Sequence, residues 1–303
     1  MTVSLVVCTR NRGARLGDFF ASLTRLVPPP DGWELILVDN GSTDATADAI
    51  HRFAASVPFA VRYVRAATPG LSHARNAGLR HAGGRIVAFT DDDCYPQPDY
   101  LRAIVEVFEQ HRAGVIGGRV VLHDPADARV GVKDGDEGFD ITPNQFVRAG
   151  VMHGANMAVR REVLEQIGGF DPLLGAGTRC VAGEDTDFIA RAVWAGWTVR
   201  YDPRPVVAHH HGRKGADADR QRGAYDRGRG AYYGKWLLDR RARRTYLREW
   251  YLTLRRMIRK RNVAPFGREL AGAWRYLLDR LLHAHPVPRF DSRSSARSHR
   301  TEA

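Results

Sequence analysis

Along the first hundred residues, short apolar runs alternate with longer stretches whose apolar positions recur every three or four. Residues 3–7, 34–38, 61–64 and 85–89 are β-rich and nearly continuous in apolar character, which predicts strands buried on both faces. Residues 15–26 place Leu16, Phe19, Phe20 and Leu23 on one helical face and end at Pro28-Pro29-Pro30. Further helices are predicted over 45–53, with Ser42 or Thr43 as the cap, over 70–81 and over 100–111. Strand and helix alternating at this spacing predict an α/β fold, a mostly parallel central sheet flanked by helices.

Beyond residue 112 the pattern loosens. A strand over 115–122 precedes an acidic, Gly-rich loop over 124–144. A strand over 156–159 leads into a short helix, 161–167, which Gly168-Gly169 ends. A helix over 185–195 and short strands over 198–201 and 206–208 follow. After His211 the character changes, and Gly and charged residues fill 212–234. Two amphipathic helices come next. One gathers Tyr246, Leu247, Trp250, Tyr251, Leu254, Met257 and Ile258 on one face; the other gathers Leu270, Trp274, Leu277, Leu278, Leu281 and Leu282. Three segments are therefore expected: a body over 1–212, a helical extension over 213–285 and a disordered Ser/Arg-rich tail over 286–303.

Charge sharpens that division. Residues 1–212 hold 22 Lys and Arg against 25 Asp and Glu, whereas 213–303 hold 24 against 9. A near-neutral body carries a strongly basic segment, which speaks to partners rather than to fold. That segment has no zinc-ligand spacing or recognition-helix pattern, so no specific nucleic acid is expected and non-specific phosphate binding is the most it supports. Trp236, Trp250 and Trp274 among many arginines suit peripheral contact with an anionic membrane through 245–285. Burial of the same stripes against the body accounts for them equally well. No window reaches the ~20 apolar residues of a membrane span, and the opening run is too short for a secretory signal. Three scattered cysteines, Cys8, Cys94 and Cys180, indicate neither a disulfide framework nor a zinc knuckle. A cytoplasmic location fits, with the membrane contact at the inner face.

The chemistry concentrates at Thr90-Asp91-Asp92-Asp93-Cys94, directly after the apolar run Ile86-Val87-Ala88-Phe89. Three adjacent carboxylates repel one another unless a cation offsets them. They stand at a strand's carboxyl end, where ligands of open α/β sheets gather. Oxygen ligands favour a hard divalent ion, Mg²⁺ or Mn²⁺, over zinc.

Other motifs fall in a fixed order around this one. Val7-Cys8-Thr9-Arg10-Asn11-Arg12 follows the first strand and Val38-Asp39-Asn40-Gly41-Ser42-Thr43-Asp44 the second. Gly70-Leu71-Ser72-His73-Ala74-Arg75-Asn76-Ala77-Gly78 precedes the acid triplet; Gly183-Glu184-Asp185-Thr186-Asp187-Phe188 and His209-His210-His211 come later. Over residues 1–212 the set closely resembles the family 2 inverting glycosyltransferases with the GT-A fold.

The resemblance implies a nucleotide-sugar donor, a UDP-sugar by default, and a hydroxyl-bearing glycan, lipid-linked or small-molecule acceptor. Thr9 and Asn11 would pack around the nucleotide, Asp39 would hydrogen-bond the base, and Arg75 would be the basic donor contact. Asp93 would bind the metal, Mn²⁺ or Mg²⁺, and Asp92 the ribose or sugar side; Asp91 with Asp93 is an alternative pair. His209 would join the metal, a role His210 or His211 could also fill. Asp185 would be the general base with Glu184 in support, or the reverse. A metal-bound leaving group and one carboxylate base amount to single displacement with inversion. Two other classes compete. A nucleotidyltransferase would show a basic Gly-rich phosphate loop near the N-terminus, which is missing here; a degenerate fold that only binds nucleic acid or membrane would not need the intact acids.

Overall fold

The computed structural model describes residues 2–282 and 287–290. Nine strands form one sheet: β1 Val3–Thr9, β2 Trp33–Asp39, β3 Ala60–Arg65, β4 Ile86–Asp91, β5 Cys94–Pro96, β6 Val115–Leu122, β7 Phe139–Ile141, β8 Asn156–Arg160 and β9 Val199–His209. Their order is β3-β2-β1-β4-β8-β6-β9-β5, with β7 on β9. β1, β2, β3 and β4 pair in parallel, as do β6 and β9. β8 runs against both β4 and β6, and β5 and β7 run against β9.

Period-two alternation sorts the side chains into two cores. Leu5 and Val7 of β1 and Leu35 and Leu37 of β2 cluster with Phe19 of α1 (Gly17–Leu23), Ile50 of α2 (Thr46–Ser56) and Ile104 of α4 (Tyr100–Gln110). Val6, Ile36 and Val38 face the other way. Their cluster includes Ala74 of α3 (Leu71–His81), Leu164 of α5 (Arg161–Ile167) and Phe188 of α6 (Glu184–Trp194).

Several local expectations change. Ser42 and Thr43 do not cap α2; the Asp44 carboxylate accepts the Thr46 N–H instead, and the first loop takes both earlier residues. The loop over 124–144 contains β7, paired with β9. The two short strands near 200 are one strand, β9, whose register against β6 shifts between Gly117 and Arg119.

The largest departure lies beyond residue 212. The Gly-rich stretch forms a 22-residue helix, α7 (Gly215–Trp236), followed by α8 (Arg243–Arg259) and α9 (Ala264–Leu282). Glycines in a helix interior lose about 1 kcal/mol each relative to alanine, so local preference pointed to a loop. Packing overrides it. A Cβ on Gly230 would collide with the Glu269 carbonyl, and one on Gly272 with the Arg227 carbonyl, so these glycines let α7 and α9 approach backbone to backbone.

The three helices are built into the body. Tyr232, Trp236, Tyr246 and Trp250 share the core of Phe188 and Trp194. Lys235 donates to Asp171 at 2.6 Å and to Asp187 at 2.8 Å, and the Trp236 indole donates to Asp187. Of the two readings left open for the α9 stripe, burial against the body is not what its exposed members show. Its buried face is Glu269, Gly272, Ala273, Tyr276 and Asp279, while Leu270, Trp274, Leu281 and Leu282 are exposed. Of the tail expected to be disordered, 287–290 are described: the Pro288 carbonyl accepts the Gly169 N–H, and Phe290 lies under the Arg161 guanidinium. The rest of 286–303 lies outside the described residues.

Close packing of α7 on α9 makes opposite predictions for two helical glycines. Gly230→Ala should destabilise the protein by about 1–3 kcal/mol through overpacking, although alanine is the better helix former. Gly267→Ala, with open space around its Cβ, should cause no loss. Urea unfolding of both variants checks the pair.

Candidate active site

The parallel register brings three loops together. Thr9 at the end of β1 sits opposite Asp39 at the end of β2, and Cys8 sits opposite Asp91 at the end of β4. Asp39 is buried; its carboxylate accepts the Ser42 N–H at 2.8 Å and the Tyr63 hydroxyl at 3.0 Å. Asn11 stands at φ 52° and links the two loops, donating its N–H to the Ser42 hydroxyl and accepting the Thr43 N–H on its side chain. The Thr9 hydroxyl donates to Asp92 at 2.5 Å.

Backbone pairing delivers the histidine. Cys94 of β5 lies opposite His209 of β9, and the His210 N–H donates to the Asp93 carbonyl. His209 Nε2 thereby comes to 3.5 Å from Asp93 Oδ1. On the other side the Arg12 guanidinium reaches Asp93 Oδ2 at 3.0 Å and Asp92 Oδ1 at 3.5 Å. Burial alone would raise the Asp93 carboxyl, but His209, Arg12 and Arg213 together bring it down to about 2. Asp92 goes the opposite way. Burial, reinforced by the charges of Asp93 and Asp91, lifts it to about 6 against the Thr9 hydroxyl and Arg12.

Asp93, Cys94 and His209 place one ligand atom each within 4.8 Å of one another. Burial raises the Cys94 thiol well above its ordinary value, and its soft sulfur is not a ligand that hard Mn²⁺ or Mg²⁺ prefers. What remains is a carboxylate and an imidazole, a donor set that accommodates Mn²⁺ or Mg²⁺.

A cavity of about 340 Å³ opens beside this cluster. One wall carries Asp91, Asp93, Glu184, Asp185 and His209; the facing wall is α7 with its approach, through Arg213, Gln221, Tyr225 and Arg229. The residues Thr9, Asn11, Asp39 and Asp92 lie outside this lining, on the side of the β1 and β2 loops.

Glu184 and Asp185 open α6 after Gly183, which sits at φ 98° where a Cβ would meet the Gly228 carbonyl. The two acids have different surroundings. Glu184 is buried and takes Arg75 Nη1 at 3.0 Å, while Arg75 Nη2 reaches Asp91 at 3.3 Å. Burial and the Asp185 charge push the Glu184 carboxyl up; Arg75 pulls against them. Arg75, expected as a donor contact, is itself only 3% exposed and stacks over Phe170. It is tied between two acids at the wall of the cavity. Asp185 is partly exposed there, accepting the Gly154 N–H on Oδ2 and the Thr186 N–H on Oδ1. Helix N-terminal N–H groups stabilise a carboxylate at this position.

The sequence profile of Glycosyl transferase family 2 matches residues 4–168. The chain belongs to this family. It is a glycosyltransferase, and its sheet and helices have the GT-A fold. Its relatives include the glycosyltransferase AglE of Haloferax volcanii, 25% identical over 243 residues, covering 78% of this chain and 75% of AglE. The succinoglycan biosynthesis protein ExoM of Rhizobium meliloti is 28% identical over 209 residues, covering 68% of this chain and 65% of ExoM. Among solved structures, the mannosyltransferase PcManGT of Pyrobaculum calidifontis, in complex with GDP-Man and Mn²⁺, superposes with a TM-score of 0.63 at 22% identity. It covers 98% of this chain and 78% of its own. TarS 1-349 of S. aureus with UDP-GlcNAc gives a TM-score of 0.60 at 17% identity over 79% of this chain and 68% of that 1-349 chain.

Sequence reasoning missed Arg12, Tyr63 and the α7 wall of this family 2 site. Arg12 lay within a quoted motif but without a partner in view. Gln221, Tyr225 and Arg229 were hidden because α7 has no apolar stripe to mark it as a helix; the one available signal was glycine spacing at 230 and 234.

Arg75→Met should leave Glu184 buried without a counter-charge, with Asp91 beside it, a loss of about 3–5 kcal/mol. Adding Glu184→Gln to Arg75→Met should recover part of it. Chemical denaturation across the double-mutant cycle measures the coupling; additive losses would show that the bridge carries none.

Proposed function

We propose that the protein transfers a sugar from a nucleotide-sugar donor to an acceptor hydroxyl by single displacement with inversion, Asp185 acting as general base. The observation that carries this reading is the contrast within the acid pair. Glu184 is buried at the cavity wall in its ion pair to Arg75, while Asp185, on the same wall as Asp93 and His209, is partly exposed. A base must reach the proton it removes, and of the two Asp185 offers the freer carboxylate to an acceptor in the cavity. Gly154 and Thr186 hold its carboxylate in place through their N–H groups.

The donor is assigned to the loops after β1, β2 and β4. Asp39, with Tyr63 beside it, would take the base; Thr9 and Asn11 would line its approach, and Asp92 would face the ribose or sugar. Asp93 and His209 would hold a divalent ion, Mn²⁺ or Mg²⁺, which when bound neutralises charge developing on a diphosphate leaving group. The acceptor, a glycan, lipid-linked or small-molecule hydroxyl, is assigned to the α7 side. There Tyr225 offers an aromatic face, and Gln221 and Arg213 offer polar contacts. Glu184 and Arg75 act as positioning residues that fix the start of α6. Unpaired Cys8, Cys94 and Cys180 fit a reducing, cytoplasmic setting for the reaction.

Thermal unfolding in the presence of UDP, GDP, dTDP or CDP, each with and without Mn²⁺, tests the donor side. One nucleotide should raise the melting temperature in a Mn²⁺-dependent manner, because a ligand of the native state stabilises it by mass action. Asp93→Ala should abolish the shift. Asp185→Asn should keep the shift while lowering turnover of the matching nucleotide-sugar about 10²–10⁴-fold. No shift with any nucleotide, or full turnover by Asp185→Asn, overturns the assignment.

A further inference from the structure

Nine large apolar side chains are exposed among the described residues, and all nine lie between Leu238 and Leu282. Isolated exposed leucines are ordinary; a set of which seven lie on one pair of helices, with Leu238 and Val263 in the turns before each, is not. On α8 they belong to the stripe Leu247, Tyr251, Leu254, Ile258, and on α9 to Leu270, Trp274, Leu277, Leu281. Both stripes repeat at four, three and four residues, which keeps each on one helical face. Tyr251 is 58% exposed, Trp274 70% and Leu281 84%.

The outward orientation follows from what the inner faces hold. α8 buries Tyr246 and Trp250. α9 turns Gly272 and Ala273 onto α7 and uses its acids inward, Glu269 on Arg229 and Asp279 on Arg179. Large side chains at Gly272 and Ala273 would push the helices apart. The apolar stripe is thus excluded from the α7 contact and remains in contact with solvent.

We infer that these two stripes form a docking face for an anionic lipid bilayer. Charge decides the occupant. Residues 243–282 hold eleven Arg and Lys against three Asp and Glu, and two of the three acids, Glu269 and Asp279, are consumed by inward ion pairs. Arg255, Arg256, Arg259, Lys260 and Arg261 stand exposed at the end of α8. A second copy of the chain would bring this positive surface against itself. Nucleic acid would satisfy the arginines and leave Trp274 and Leu281 in water. A bilayer surface accepts both: acyl chains take the stripes, anionic headgroups take the cations, and Trp and Tyr suit the boundary between them. Among the described residues no helix is long and apolar enough to cross a membrane, so the contact is peripheral. Because α9 lies on α7, docking holds the α7 wall of the cavity near the lipid surface. The docking face itself does not depend on the sugar-transfer assignment.

Co-sedimentation of the full chain with vesicles of phosphatidylcholine alone, and of phosphatidylcholine with phosphatidylglycerol, tests it. The chain should pellet with the anionic vesicles and stay in solution with the neutral ones. The exposed double variant Trp274→Ser/Leu281→Ser and the charge variant Arg255→Glu/Arg256→Glu/Arg259→Glu should each weaken binding about tenfold or more. The nucleotide-dependent thermal shift, measured on the same variants, should remain; its retention shows that they fold and separates this result from the donor assignment. Binding to neither vesicle overturns the inference. So does binding that the apolar variant leaves intact, which is a purely electrostatic contact. Concentration-dependent dimers in sedimentation velocity, lost in the Trp274→Ser/Leu281→Ser variant without vesicle binding, assign the face to a second copy and also overturn it.

Discussion

Five carboxylates, those of Asp91, Asp92, Asp93, Glu184 and Asp185, converge on one partly buried region, and the fold around them is organised by the need to compensate that charge. Desolvation disfavours each anion and every neighbour adds repulsion. The chain supplies its own cations at fixed places, Arg12 from the loop after β1 and Arg75 from α3, and sets the His209 imidazole from the end of β9 against Asp93. Their division is selective. Arg75 fully engages Glu184 and touches Asp91, Arg12 and His209 share Asp93, and Asp185 takes the Gly154 and Thr186 N–H groups and the Thr186 hydroxyl. The acids that line the cavity are distinguished by which partner reaches them.

Much of this region was legible in the sequence because it is local. The apolar runs ending at Thr9, Asp39 and Asp91 are buried strands, and parallel pairing alone brings their ends together. The histidine was legible as a residue but not as a neighbour. Its place depends on β5, a three-residue strand too short to show any period, and on its register with β9. Arg75 is the opposite case. Its position beside the site was readable, but its ion pair with Glu184, 109 residues away, and its burial are reported by no local pattern.

Beyond residue 212 the helices α8 and α9 were legible from their stripes, but α7 and the inward charges were not, for a related reason. Formal charge counted along the chain makes 213–303 a basic appendage, yet part of that charge turns inward. Lys235 neutralises Asp171 and Asp187, and Arg229 neutralises Asp226 and Glu269. Buried pairs of this kind are weak evidence for stability, since desolvation offsets attraction. They do fix geometry, because removing either partner strands the other. Asp187 lies one helical turn into α6, so the same Lys235 that anchors α7 also orients the helix that presents Asp185.

That coupling explains why α9 can be arranged against its own apolar pattern. A helix held only by hydrophobic burial must turn its apolar stripe inward. α9 is held by close backbone approach at Gly230 and Gly272, by the Glu269 ion pair with its Trp250 hydrogen bond, and by the Tyr276 hydroxyl on Asp171. With those contacts satisfied by small and polar residues, the large side chains are left over for the outside. An exposed stripe on a helix without such inner contacts would be a sign of misfolding or aggregation; here the inner contacts make it a surface with a definite orientation relative to the cavity.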